Sequence, residues 1–109
     1  QDVDFGMSES NDFFDLRHAR AIVLWGKNPH TSNVHLLPLL KECRKAGAKL
    51  VVIDPLRTRV ARESDLYLQV RPGGDAALAL GALRWIFERG LADPEAASYA
   101  DGVEALRAL

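Results

Sequence analysis

Cysteine is almost absent: Cys43 is the only one in 109 residues. A single thiol excludes an internal disulfide framework, and it excludes an iron–sulfur cluster or a thiolate zinc site built from this chain alone. An excess of one charge is lacking too. Fourteen Lys and Arg stand against fifteen Asp and Glu, a formal net charge of −1. The charges are spread along the chain, so there is no nucleic-acid footprint, acidic tail or disordered segment. Long hydrophobic runs are missing. The longest, around 76–83, is broken by Gly81 and flanked by charge, well short of the ~20 apolar residues of a membrane helix. No secretory signal pattern is present. The chain opens at Gln1 without an initiator methionine, which reads as a piece of a larger protein and leaves the compartment open.

What is there suffices for one modest globular domain, with 48% hydrophobic residues. Residues 1–11 are acidic and read as an irregular lead-in. Asn11 or Asp12 is placed to cap a short helix through Phe13, Phe14 and Leu16. The run Ala21–Trp25 (AIVLW) is continuous and β-branched, the pattern of a strand buried on both faces. A turn-rich loop, Gly26–Ser32 (GKNPHTS), leads to a helix capped near Thr31–Asn33, with Leu36, Leu37, Leu40 and Cys43 inward and Gly47 as its stop. Lys49–Asp54 is a second strand closed by Pro55, Leu56–Ser64 holds one or two helical turns, and Leu66–Val70 is a weaker third strand. Asp75 reads as the N-cap of a helix over Ala76–Arg89 with a stripe of Leu80, Leu83, Ile86 and Phe87. Asp93-Pro94 opens a short helix to about Ala100, and Val103–Leu109 begins another. Strand, helix, strand, crossover, strand, helix predicts an α/β fold: a three-layer, Rossmann-like parallel sheet flanked by helices, here as a partial domain.

In open parallel sheets ligands bind beyond the C-terminal strand ends. All three strand ends carry polar or flexible loops, expected to converge at one edge. In the first, Gly26 admits close backbone approach, and Lys27, Asn28, Thr31 and Ser32 add donors beside a helix N-terminus, which suits a diphosphate. A tight turn with satisfied side chains explains the same residues equally well. The G-x-G-x-x-G fingerprint of ordinary NAD or FAD sites is absent. In the second loop, Asp54 ends a buried strand where carboxylates accept from ribose hydroxyls, or else forms an Asx turn with Pro55 or pairs with Arg57. In the third, Asp75 is a cap by default, and chemically also an acceptor for the N1–H and N2–H₂ edge of guanine. Cys43 fits a buried, inert position, and His18, His30 and His35 lack the spacing of a metal pair. Trp85 and Phe87 fit helix packing. No nucleophile set assembles, so neither a catalytic residue nor a metal ligand is expected in this segment.

Taken together, AIVLWGKNPHTSNVHLLP and GAKLVVIDPLRTRVARESDLYLQVRPGGDAALALGAL resemble the cofactor-binding α/β region of molybdopterin oxidoreductases of the dimethyl sulfoxide reductase type. The carriers are W-G-x-N-P, I-D-P-x-x-T and P-G-x-D-A-A-L, in that order. The resemblance implies that residues 1–109 are a fragment of a domain binding a molybdopterin guanine dinucleotide, one of two that hold molybdenum or tungsten in the parent enzyme. Trp25, Gly26, Lys27, Asn28, Pro29, His30, Thr31 and Ser32 would line its diphosphate. Asp54, Pro55, Leu56, Arg57 and Thr58 would hold the guanosine ribose, and Gly73, Gly74 and Asp75 would meet the guanine. Gly74 stands where that family more often has Thr, and Lys27 where a small residue is frequent.

The resemblance further implies a parent that performs two-electron redox or oxygen-atom transfer chemistry. Its metal ligand, and any iron–sulfur cluster, would lie outside this segment, which alone would be inactive. The expected partners are the rest of the catalytic subunit and electron-transfer subunits, with no nucleic acid and no membrane span. Two other readings compete: a region of a respiratory complex I iron–sulfur subunit that has lost the pterin, and a stand-alone nucleotide-binding module. The polar set Asn28, Asp54, Thr58 and Asp75 argues against the first.

Overall fold

The computed structural model describes residues 12–109. They fall into two units, one ending at Gln69 and the other running from Val70 to Leu109. Asn11 lies outside the described residues. Asp12 performs the expected cap: its side chain accepts the Phe14 N–H at 2.9 Å and starts a 3-10 helix, Phe13–His18.

Strand β1 is Ala21–Trp25, as the apolar run predicts. The chain then makes a single helical turn, α1 (Pro29–Ser32), before the amphipathic helix α2 (Leu36–Lys45). The helix start expected at Thr31–Asn33 is thus split. Asn28 precedes Pro29 and is extended, Pro29 opens α1 at its first position, and α2 begins later with His35 at its N-cap. Pro38 falls in the first turn of α2, where its missing N–H costs no helical bond. The buried residues of α2 are Leu36, Leu39, Leu40 and Cys43, while Leu37 lies half-buried on the flank. Gly47 stops the helix with φ +102°. The Gly47 N–H reaches Arg44 O at 3.0 Å and the Ala48 N–H reaches Cys43 O at 3.0 Å, the paired bonds of a Schellman motif.

Strand β2 (Lys49–Ile53), helix α3 (Arg59–Glu63) and strand β3 (Leu66–Leu68) complete the unit. The sheet is parallel with order β1-β2-β3, pairing Trp25 with Ile53 and Ile53 with Leu68. Helices α2 and α3 pack on one face, where Ile22, Leu24, Leu50 and Val52 join Leu36, Leu39, Leu40, Cys43, Val60 and Ala61 in one core. The α/β arrangement is the expected one, a parallel sheet flanked by helices, and within this unit the described helices lie on that face. β1 alternates instead of being buried on both faces: Val23 is 52% exposed and Trp25 41%. The reason is that both crossovers of this unit lie on the Ile22–Leu24 side, so β1 has a helix layer there only.

The second unit contains α4 (Asp75–Glu88), α5 (Ala96–Tyr99) and α6 (Val103–Arg107). Helix α4 starts one residue earlier than expected, with Gly74 at the N-cap, and its stripe of Leu83, Ile86 and Phe87 is only half-buried, with Leu80 exposed. The helix expected from Asp93-Pro94 shrinks to α5: Asp93 accepts the Glu95 N–H and the Tyr99 hydroxyl instead of capping a longer helix. Among the described residues no helix is long and apolar enough to cross a membrane.

Candidate functional site

Two of the three candidate loops leave adjacent strand ends. β1 and β2 finish in register at Trp25 and Ile53, and the Gly26 N–H donates to Ile53 O at 2.8 Å, carrying the ladder one residue into the first loop. Gly26 has φ +63°, a conformation L side chains avoid, while the space where its Cβ would stand is open. The glycine is required by the backbone turn, and not by crowding.

Within that loop the polar side chains divide into two groups. Thr31 and Ser32 are exposed and bond within their own turn: their hydroxyls donate to Asn28 O at 3.2 and 2.9 Å, beside the Thr31 and Ser32 N–H groups on the same carbonyl. Asn28 behaves differently. Among the described residues its buried Oδ1 has no hydrogen-bond partner, and neither has the buried Nε2 of His30. Buried polar atoms without partners are uncommon. The backbone N–H groups of Lys27 and Asn28 make no backbone hydrogen bond among the described residues. Pro29 is fully buried and anchors the turn.

The second loop is held from below by β3. Asp54 Oδ1 accepts the Leu56 N–H at 2.8 Å, closing an Asx turn over Pro55. Tyr67 donates its hydroxyl to Asp54 O at 3.0 Å, and Gln69 Nε2 donates to Pro55 O at 3.0 Å. Leu56 projects 72% exposed, and no ion pair joins Asp54 to Arg57 among the described residues. Thr58 is the N-cap of α3, accepting the Ala61 N–H at 3.3 Å. Tyr67 and Gln69 were not singled out from the sequence. The alternation in LYLQV puts both on one face of the strand, and that was the available signal.

The third loop belongs to the second unit. Arg71-Pro72-Gly73-Gly74 forms a turn closed by the Gly74 N–H on Arg71 O at 2.8 Å, with Gly73 at φ +80°, as a type II turn requires after proline. A Cβ at Gly74 would stand 3.0 Å from Arg71 O, so the missing threonine is compatible with a turn already tight at that point. Asp75 is the first residue of α4 and not its N-cap, a correction to the capping role. As a first-turn carboxylate it still complements the helix dipole.

Elsewhere the carboxylates serve structure. Asp65, at the opposite end of β2, accepts the Leu50 N–H at 2.7 Å and lies 3.6 Å from Arg44. The Leu50 N–H, with Arg44 and Lys49 nearby, holds its carboxyl below the usual carboxylate range. In the second unit the Tyr99 hydroxyl donates to Asp93 at 2.6 Å, which holds the Asp93 carboxyl below the usual carboxylate range, and the Asp93 carboxylate in turn pushes the Tyr99 phenol up. Cys43 is buried in α2, as expected.

Over residues 1–105 the sequence fits the family described as molybdopterin oxidoreductase. The chain belongs to that family. Among its relatives, "Probable oxidoreductase YyaE" of Bacillus subtilis is 37% identical over 93 residues, which are 85% of this chain and 14% of that protein. The assimilatory nitrate reductase catalytic subunit of the same organism is 34% identical over 75% of this chain and 12% of its own length. The structure of acetylene hydratase from Pelobacter acetylenicus superimposes with a TM-score of 0.70 at 31% identity, covering 88% of this chain and 15% of that one. The chain thus spans about one-seventh of the relatives it matches. Molybdopterin oxidoreductases are the family in which the α/β fold and the motif series had been expected to lie.

Proposed function

We propose that this chain is the part of a molybdopterin-dependent catalytic subunit that cradles the guanine dinucleotide end of the cofactor. The observation carrying the reading is the pair of loops bound together at the C-terminal edge of the sheet, where the Lys27 and Asn28 N–H groups make no backbone hydrogen bond among the described residues and the buried Asn28 Oδ1, an acceptor, suits a hydroxyl or N–H of the cofactor and not its phosphates. The residues fit the group. Lys27 and the backbone N–H groups of Lys27 and Asn28 suit the diphosphate, and Asn28 contributes a polar side chain to the same turn. Asp54 has given one oxygen to its Asx turn, and the other suits a ribose hydroxyl. Asp75, with Gly73 and Gly74, suits the guanine edge, where a carboxylate accepts two N–H bonds. Trp25, Pro29, His30, Pro55, Leu56 and Arg57 line the two loops. Thr31, Ser32 and Thr58 act through the backbone they fasten.

When bound, the molybdenum or tungsten pterin supplies two-electron redox or oxygen-atom transfer chemistry. The reading of the parent as an oxidoreductase rests on relatives named oxidoreductase and nitrate reductase. A relative named acetylene hydratase marks the alternative outcome, resolved by whether the loaded enzyme passes electrons to a dye. The rest of the subunit and electron-transfer subunits are the proposed partners, as relatives named major subunit and subunit alpha suggest.

Asp75→Asn in the cofactor-loaded full-length protein tests the guanine assignment. Loss of a charge-assisted hydrogen bond, roughly 1.5–3 kcal/mol, predicts at least ten-fold weaker cofactor retention, read as pterin content after dialysis. Unchanged pterin content with a lowered melting temperature would leave Asp75 with a helical role only.

A further inference from the structure

A groove of about 800 Å³ runs between α2 and α3, on the helix side of the sheet. Its floor is apolar, made of Leu40, Leu50 and Val60, each under 5% exposed. Its α2 wall is the helical stripe Leu37, Lys41 and Arg44, preceded by Val34 in the turn before the helix, so that the apolar members come first and the cations after. Val34 is 59% exposed, a large apolar side chain at the rim of an apolar trough. Arg59 and Glu63 form the α3 wall and bind each other at 3.1 Å.

Lys41 and Arg44 also line a smaller polar hollow with Lys45, Lys49 and Asp65. The combined surface therefore carries five cations and two carboxylates, in a chain whose net charge is −1. Both carboxylates are already engaged, Glu63 by Arg59 and Asp65 by Arg44 and the Leu50 N–H. Lys41 and Lys45 have no ion pair among the described residues. Positive potential is thus concentrated at one end of an apolar trough, whose floor of Leu40, Leu50 and Val60 has no polar side chain, while His30 in its lining has a buried Nε2 with no partner among the described residues.

We propose that this groove docks an acidic amphipathic helix of a partner protein. Apolar residues of such a helix at spacings of three and four fill the trough over Leu40, Leu50 and Val60, and its flanking carboxylates meet Lys41, Lys45 and Lys49. The surface lies on the helix layer and shares only His30 with the first strand-end loop; Val34, Lys41, Lys45 and Lys49, which carry the docking assignment and its test, are not among the residues given to the cofactor, so the two can be tested separately.

The test uses the full chain, isotopically labelled, with an eighteen-residue helical peptide carrying Leu at helical spacing and Glu on both flanks. Amide shift changes are expected at Val34, Leu37, Lys41, Arg44 and Val60. Lys41→Glu and Val34→Asp, both at exposed positions, should each weaken binding about ten-fold, and raised salt should weaken it further. Shifts elsewhere, equal affinity in both variants, or equal binding of the same peptide with Lys in place of Glu would overturn the proposal. So would a DNA duplex that binds these cations more tightly than the acidic peptide.

Discussion

Asp65 shows how one exposed carboxylate fixes a strand end. It accepts the Leu50 N–H and returns its own N–H to Leu50 O at 2.9 Å. Its carboxyl is held low in the fold, so its contribution to stability is present above the unfolded carboxylate range and disappears as pH falls through the folded value. The melting temperature should therefore fall on the acid side, and Asp65→Asn should flatten that limb while lowering stability near neutrality. Thermal melts of both proteins from pH 7 to pH 3 check this, and parallel curves would show that Asp65 is not the group responsible. Other residues illustrate how far sequence reasoning reaches. Trp25, Gly26, Asn28 and Asp54 stand at the strand ends where their motifs put them. The hydroxyl bonds of Thr31 and Ser32 were not legible, because a hydroxyl takes whichever carbonyl the backbone brings nearest, and Asn28 O lies one helical turn back. Asp75 was displaced by a single position, because Gly74 takes the N-cap.

At the scale of elements, β1, β2 and α2 were read from hydrophobic pattern because each carries a long uniform signal. The single-turn α1 was not, since four residues are too few to show a period. Burial on both faces of β1 was inferred from composition, whereas alternation is imposed by the side on which the crossovers lie. Helix α2 carries most of the helical contribution to the core, and Leu40 sits at its centre. Leu40→Ala removes packing that no neighbour can replace, and should cost about 2–5 kcal/mol. Urea unfolding checks it: the midpoint falls while the slope stays unchanged. A loss under 1 kcal/mol would mean that α2 packs loosely.

The whole molecule distributes its stability unevenly. The first unit holds every buried residue described, and the second, Val70–Leu109, holds none. Local opening is cheapest where few apolar side chains are covered. Hydrogen exchange should therefore find slow amides in β1, β2 and α2, and amides of α4, α5 and α6 exchanging at least about ten-fold faster. Equal protection in both units would contradict the difference in burial. Division into two units was not foreseen, because 109 residues read as one modest domain, with the Arg71-Pro72-Gly73-Gly74 turn as the close of its third strand.

The bond from the Gly26 N–H to Ile53 O has a thermodynamic meaning beyond its position. It joins the root of the first loop to the end of the strand that carries the second, so disorder in one spreads to the other. Tyr67 of β3 and Gln69 just past its end then fix the second loop from the neighbouring strand. A ligand that orders either loop finds much of the conformational entropy of the other already lost, and its two ends bind cooperatively without any contact between them.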